Sequence, residues 1–301
     1  MKKAVFILLG QSNAVGHGIA MDEKDRICKP LKNVFGLHRA DNQSFAIKRL
    51  TWRGYESAGM NLAEEQDHTW SVANCLARQW QDRIDGGENL PDLYIIQIAI
   101  GAQGVTEKYM WHPDRPEKLV PGKLGEVDIS LFPFTCHILS LLDKSLEDYE
   151  IIGLHWRGGE NDACEDRDML EAEIGAIYRR MLDTFNRILQ NPPTVLHGIH
   201  CPDRMDYLDA TGGFRNNMYY INEIFKDLEQ EYPNVSVFDV RKAPFHDPTT
   251  PEQGLFIEDK VHYTPRTNRW VAEQIIKRSL IRAAHHSDKL PEKACICTNL
   301  R

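Results

Sequence analysis

The chain predicts an α/β protein on a doubly wound parallel sheet of about five strands, and two recurring patterns predict it. Five short apolar runs, Ala4–Leu9, Leu93–Ile100, Ile151–Trp156, Val195–His200 and Val235–Val240, are rich in branched residues and almost continuously apolar. Strands buried on both faces of a parallel sheet look like this. Amphipathic helical patterns lie between or after the runs, and such alternation places helices on both faces of one sheet.

The helices follow in order. Thr69 is positioned to cap a helix through Asp82, with Val72, Leu76 and Trp80 on one stripe. Leu131 to Leu146 forms a second. Asp166 to Leu189 is the clearest, with Leu170, Ile174, Ile177, Met181, Phe185 and Ile188 stepping by three or four. Asn216 to Glu231 is stopped before Pro233, and Pro265 opens the last, carrying Trp270, Ile275 and Leu280. Three long irregular stretches remain, Gly16–His68, Val105–Ser130 and Pro202–Arg215. Loops of that length in a compact domain shape a site or are disordered. The middle one carries Tyr109, Trp111 and His112, residues suited to gripping a sugar-like ring.

Bulk properties narrow the function. The 301 residues read as one domain over 1–285 and a tail over 286–301. A formal net charge of −8 argues against sequence-independent nucleic-acid binding, which needs clustered Lys and Arg. No apolar run approaches the ~20 residues that span a bilayer. Lys2-Lys3 before Ala4–Leu9 imitates a signal peptide, but the apolar stretch is short and no small-residue cleavage pattern follows. A cytoplasmic protein is therefore expected. Seven cysteines (28, 75, 136, 164, 201, 295 and 297) show no framework spacing and read as reduced thiols. Cys295-Ile296-Cys297 does not by itself complete a tetrahedral metal site. Oligomeric state is not legible in the sequence.

Ser12 follows the first strand at once, in Gly10-Gln11-Ser12-Asn13. Open α/β sheets bind ligands outside the carboxyl ends of their strands, and a hydroxyl here sits at such an edge. Serine is a weak nucleophile until a base takes its proton, and histidine suits that task near neutral pH. Asp259-Lys260-Val261-His262 supplies the imidazole with a carboxylate three residues before it. That spacing on a turn lets Asp259 meet Nδ1 of His262, leaving Nε2 for Ser12. Ester hydrolysis also needs donors for the developing oxyanion. The Ser12 N–H qualifies, as do the N–H groups of Gly101 and Gly104 in Ile100-Gly101-Ala102-Gln103-Gly104, and the Asn161 amide in Gly159-Glu160-Asn161-Asp162. Gln11, Arg157 and Trp111 are the candidate substrate contacts.

Gly10-Gln11-Ser12-Asn13-Ala14-Val15-Gly16 resembles the nucleophile block of the SGNH (GDSL-like) hydrolases, in particular the sialate O-acetylesterase and acetylxylan-esterase-like branch. Gly159-Glu160-Asn161-Asp162 is similar to the superfamily's Gly-x-Asn-Asp block, and Asp259-Lys260-Val261-His262 to its last block. Gly104-Val105-Thr106-Glu107 resembles the branch's glycine block, where a paired glycine is more usual. The resemblance implies a three-layer α/β/α, flavodoxin-like fold and a metal-free, cofactor-free acetylesterase acting on acetylated xylo-oligosaccharides or O-acetyl sialic acid. It implies Ser12 as nucleophile, His262 as base, Asp259 as its orienter, and Ser12, Gly104 and Asn161 as the oxyanion hole. The branch usually has Gln where this chain has Gly158, so Asn161 or Arg157 must take over any donor role of that Gln. Glu160 is read as structural.

Three alternatives are weaker. The Gly-x-Ser-x-Gly elbow of ordinary α/β-hydrolases is absent, since residue 14 is Ala. His197, His200 and Cys201 have ligand-like spacing, but residues three apart on a strand face opposite ways. A non-catalytic carbohydrate- or nucleotide-binding module on the same sheet needs no Asp-x-x-His beside a serine.

Overall fold

The computed structural model describes residues 1–64, 69–114, 130–200, 213–247, 249 and 254–287. Most of Pro202–Arg215, much of Val105–Ser130, and Cys201, Cys295 and Cys297 lie outside the described residues.

Seven strands form one sheet: β1 Lys3–Gly10, β2 Val34–Leu37, β3 Trp52–Gly54, β4 Leu93–Ala99, β5 Tyr149–Arg157, β6 Thr194–His197 and β7 Val235–Phe238. Their spatial order is β3-β2-β4-β1-β5-β6-β7. Every pairing is parallel except β2 with β3. The five expected strands are therefore joined by two more on one edge. Both lie in the stretch 16–68 expected to be loop. β2 has four residues with Gly36 among them, and β3 has three, too short to show a period.

The central strand explains the three layers. Successive side chains on β1 point to opposite faces. Val5, Ile7 and Leu9 pack with residues of the helices Leu131–Ser140, Gly175–Leu189 and Gly213–Glu231. Ala4, Phe6 and Leu8 pack with residues of the helices Val72–Asp85 and Pro265–Ser287. Residues 5–9 are wholly shielded from solvent. Each large apolar side chain there contributes about 1.5–3 kcal/mol relative to exposure.

Two helix expectations change. Ser71, not Thr69, caps the helix Val72–Asp85, its hydroxyl accepting from Asn74 N at 3.0 Å. Thr69 instead donates its hydroxyl to Val15 O at 2.8 Å. The stretch 131–146 breaks at Leu141 into Leu131–Ser140 and Leu142–Ser145.

The chain leaves β1 toward β2 on one side and later places β5 on the other, so β1 lies at the switch point of the sheet. The crevice beyond its carboxyl end opens between the ends of β4 and β5, and Ser12 stands there.

Candidate active site

Each residue of the Gly10–Gly16 block has a physical reason for its identity. Gly10 has φ +139°, and a Cβ there would lie 2.0 Å from the Arg157 carbonyl oxygen, so only glycine lets β1 run this close to β5. Gln11 N donates to that same oxygen at 2.9 Å. Residues Ser12–Val15 make one helical turn, whose Ser12 O accepts from Gly16 N and His17 N at 2.8 and 3.0 Å. Gly16 is left-handed at φ +91°, and a Cβ would lie 2.5 Å from Ser71 N. The buried Gln97 of β4 donates to Ala14 O at 2.8 Å. Ser12 is left 7% exposed, and its N–H has no acceptor among the described residues.

The distant end of the chain comes to this turn. Lys260 adopts φ +61°, which closes the loop on itself. Asp259 Oδ1 accepts from Val261 N and His262 N, each at 2.9 Å, and Oδ2 accepts from His262 Nδ1 at 2.6 Å. Burial alone would raise the Asp259 carboxyl, but these three bonds outweigh it and hold it below the usual carboxylate range. Asn13 clasps both neighbours of His262: its Nδ2 donates to Val261 O and its Oδ1 accepts from Tyr263 N, each at 3.2 Å. Ser12 and His262 are thus linked through their chain neighbours, Asn13 on one side and Val261 and Tyr263 on the other. Among the described residues no hydrogen bond joins Ser12 Oγ to His262 Nε2. Catalytic bonds of this kind are often loose before substrate binds and tighten with it.

Glu160 is the buried post beneath the turn. Its carboxylate accepts from Gln11 Nε2 and from Asn13 Nδ2, the latter at 2.7 Å, and so grips the residues on both sides of Ser12. The charge of Arg157 faces it. Arg157 is 2% exposed, stacks 4.8 Å from the Tyr263 ring and donates to Asn268 Oδ1 at 2.8 Å.

Asp162 pins the loop that carries Gly104. Its Oδ1 accepts from Val105 N at 2.8 Å, its Oδ2 from Tyr178 OH at 3.1 Å, and a Cβ on Gly104 would lie 2.2 Å from Oδ1. The two candidate glycines are distinguishable. Gly101 N already donates to Glu64 Oε2 at 2.6 Å, whereas Gly104 N has no acceptor among the described residues. Gly104 is the free donor. Asn161 is half-buried with its side chain beside the Tyr109 hydroxyl, in the same loop cluster.

Burial pushes the Asp162 carboxyl up to about 7 from 3.8. The folded state then keeps a proton that the unfolded chain releases. Stability conferred by the protonated form is present below the unfolded value and falls as pH rises from about 4 to about 7, by up to roughly 4 kcal/mol. Asp162→Asn cannot ionise. Urea unfolding is expected to show the variant gaining on the wild type by a few kcal/mol across that range; a constant difference contradicts it.

Several sequence expectations need correction. Trp111 is wholly buried, donates its indole N–H to Gly10 O at 3.1 Å and stands edge-on to Trp156, so it braces the nucleophile strand and does not grip a sugar. Gln11 and Arg157 are likewise 1% and 2% exposed and act on their neighbours, not on a substrate. Arg157 bonds Asn268 and stacks on Tyr263, and at Gly158, where relatives carry Gln, a Cβ would lie 3.1 Å from the Trp156 indole. His200 lies beyond β6, contrary to the strand expected through it. His197 Nε2 meets His155 Nδ1 at 2.8 Å and His200 meets Asp239 at 3.1 Å. Among the described residues no cluster of three or more metal-ligating side chains occurs. The Cys164 thiol is raised by burial and donates toward Glu160 O at 3.5 Å, which makes it a poor nucleophile. The sequence reading assigned no role to Asn13 or to the pair His17–Glu64. Polar residues inside an otherwise apolar, glycine-flanked block were the one available signal for Asn13, and none marked Glu64.

No protein-family model matches the chain, and no curated protein matches it in sequence. Solved structures match it in fold. A protein of Arabidopsis thaliana superposes with a TM-score of 0.60 at 16% identity, over 93% of this chain and 99% of that one. NanS superposes at 0.62 with 14% identity, over 94% and 98%. A proposed GDSL-like lipase from Parabacteroides merdae superposes at 0.52 with 12% identity, over 93% and 97%. The chain shares the three-layer α/β/α fold of these proteins. At the end of β1, Asn13, next to Ser12, is hydrogen-bonded to both neighbours of His262, whose ring meets Asp259. Among the described residues no helix is long and apolar enough to cross a membrane.

Proposed function

We propose that the protein is a serine esterase that removes O-acetyl groups from carbohydrates through an acyl-enzyme. The observation that carries this is the Asn13 clasp, which fixes the Asp259–His262 pair against the Ser12 turn from the opposite end of the chain. Ser12 Oγ attacks the acetyl carbonyl carbon while His262 Nε2 takes its proton. Asp259 holds Nδ1–H and stabilises the imidazolium. The carbonyl oxygen becomes an oxyanion met by the N–H groups of Ser12 and Gly104 and the Asn161 amide, each such donor contributing about 10²–10³-fold. Collapse breaks the bond to the sugar oxygen, which leaves with the proton from His262. Water, deprotonated by His262, then releases acetate and restores Ser12. The enclosure of Ser12, 7% exposed, suits a short acyl group. The half-buried Tyr109 and Asn161 offer polar and aromatic surface to a sugar. A proposed GDSL-like lipase from Parabacteroides merdae shares the fold, and its name agrees in kind with ester hydrolysis.

The test is acetate release from acetylated xylo-oligosaccharides and O-acetyl sialic acid, beside hydrolysis of 4-nitrophenyl acetate. Release from at least one sugar is expected; no turnover of any ester contradicts the proposal. Asp259, held low, stays ionised across the neutral range and so remains an acceptor for His262 Nδ1.

A further inference from the structure

Beside the triad stands a second imidazole–carboxylate pair that the mechanism above leaves unused. His17 Nε2 lies 2.9 Å from Glu64 Oε1, and the other Glu64 oxygen takes the Gly101 N–H at 2.6 Å. The His17 backbone N–H donates to Ser12 O at 3.0 Å, so the residue is anchored to the nucleophile turn. Its ring stands edge-on to that of His262, with centroids 5.9 Å apart and planes at 64°. The His17 side chain is 31% exposed. A Cβ on Gly101 would lie 2.4 Å from His17 Cε1 and 3.1 Å from Nδ1, so the ring packs on Gly101 in a space that only glycine leaves it. Nδ1 has no hydrogen bond among the described residues.

We propose that His17 Nδ1 bonds a hydroxyl next to the ester oxygen of the leaving alcohol, so that the site selects esters of vicinal diols. The inference rests on the esterase reading and adds a specificity determinant to it. In the proposed mechanism the acyl oxygen is directed at Ser12 N–H, Gly104 N–H and Asn161, which leaves the alcohol to the imidazole. His262 must protonate the leaving oxygen, so the alcohol lies on the His262 side, where His17 is the neighbouring ring. The spacing of the two rings suits a diol, with the ester oxygen on His262 and the adjacent hydroxyl on His17. Glu64 holds Nε2, which leaves Nδ1 as the ring nitrogen able to meet a hydroxyl. A hydroxyl both donates and accepts, and so it pairs with Nδ1 in either protonation state of the imidazole.

The matched probes are 2-hydroxyethyl acetate and ethyl acetate, which differ by the vicinal hydroxyl alone. Wild type is expected to prefer the first in kcat/KM by about tenfold, the worth of one good hydrogen bond. His17→Gln keeps a polar atom against Glu64 but has none where Nδ1 lay, and it is expected to lose the preference. His17→Asn has a polar atom where Nδ1 lay but none at Glu64, and it is expected to retain most of the preference. The opposite order, or an equal loss on both esters in both variants, overturns the inference and makes His17 a support for Gly101. Ser12-dependent turnover of both esters with no wild-type preference overturns the inference and leaves the esterase reading standing. No Ser12-dependent turnover of either ester removes both.

Discussion

Ser12→Ala is expected to lower kcat for 4-nitrophenyl acetate by roughly 10⁴-fold or more, while the protein folds as before. The chemistry sets the size: with no nucleophile there is no acyl-enzyme, and only the oxyanion donors and the bound geometry remain. Stability should hardly change. The Ser12 hydroxyl makes no hydrogen bond among the described residues, so its removal orphans nothing, and alanine is the best helix former for the turn Ser12–Val15. A shift in unfolding free energy within about 0.5 kcal/mol is expected. A carbohydrate- or nucleotide-binding module would show no esterase activity to lose. Wild-type rates in the variant would end the assignment of Ser12.

Asn13→Ala is expected to have the next largest effect, and through position alone. Its amide touches Glu160, Val261 O and Tyr263 N, and so ties the turn carrying Ser12 to the loop carrying His262. Truncation leaves the Tyr263 N–H without an acceptor and removes one donor from a buried carboxylate. Each unsatisfied buried group costs about 1–3 kcal/mol, so denaturant unfolding should show a loss of that order. Displacing a base by about 1 Å costs on the order of 10²-fold in rate. The fall should appear in kcat with KM little changed, because the side chain makes no substrate contact in the mechanism. Activity within twofold of wild type would show that Asn13 does not hold the two ends together.

The sequence was most legible where contacts are local. β1, β4, β5, β6 and β7 announce themselves as apolar runs, and the Asp259–His262 bond needs a turn of three residues. β2 and β3 were hidden because strands of four and three residues carry too few side chains to show a period. Gly36 and Gly54 further dilute them. The Thr69 cap was displaced by tertiary competition: Val15 O draws its hydroxyl away, and Ser71, two residues on, caps instead. At the site, the nucleophile and the base could be named, but not the device that joins them. The Glu160 grip on Asn13 spans 147 positions, and the Asn13 bond to Tyr263 spans 250. Gly101 and Gly104 look alike in sequence. Glu64, placed by a loop without periodicity, takes the N–H of Gly101 and leaves that of Gly104 available. Trp111 erred the other way, since an aromatic in a long loop reads as a sugar platform until its indole is found bonded to Gly10 O inside the core.

The most direct measurement is covalent labelling with a fluorophosphonate, followed by mass mapping of the adduct in wild type and in His262→Ala. One adduct per chain, on Ser12, is expected in wild type, with labelling slowed by roughly 10³-fold or more once the imidazole is gone. An adduct on any other residue, or equal labelling of Ser12 in both proteins, would contradict an active site assembled from the turn after the first strand and the loop before the last helix.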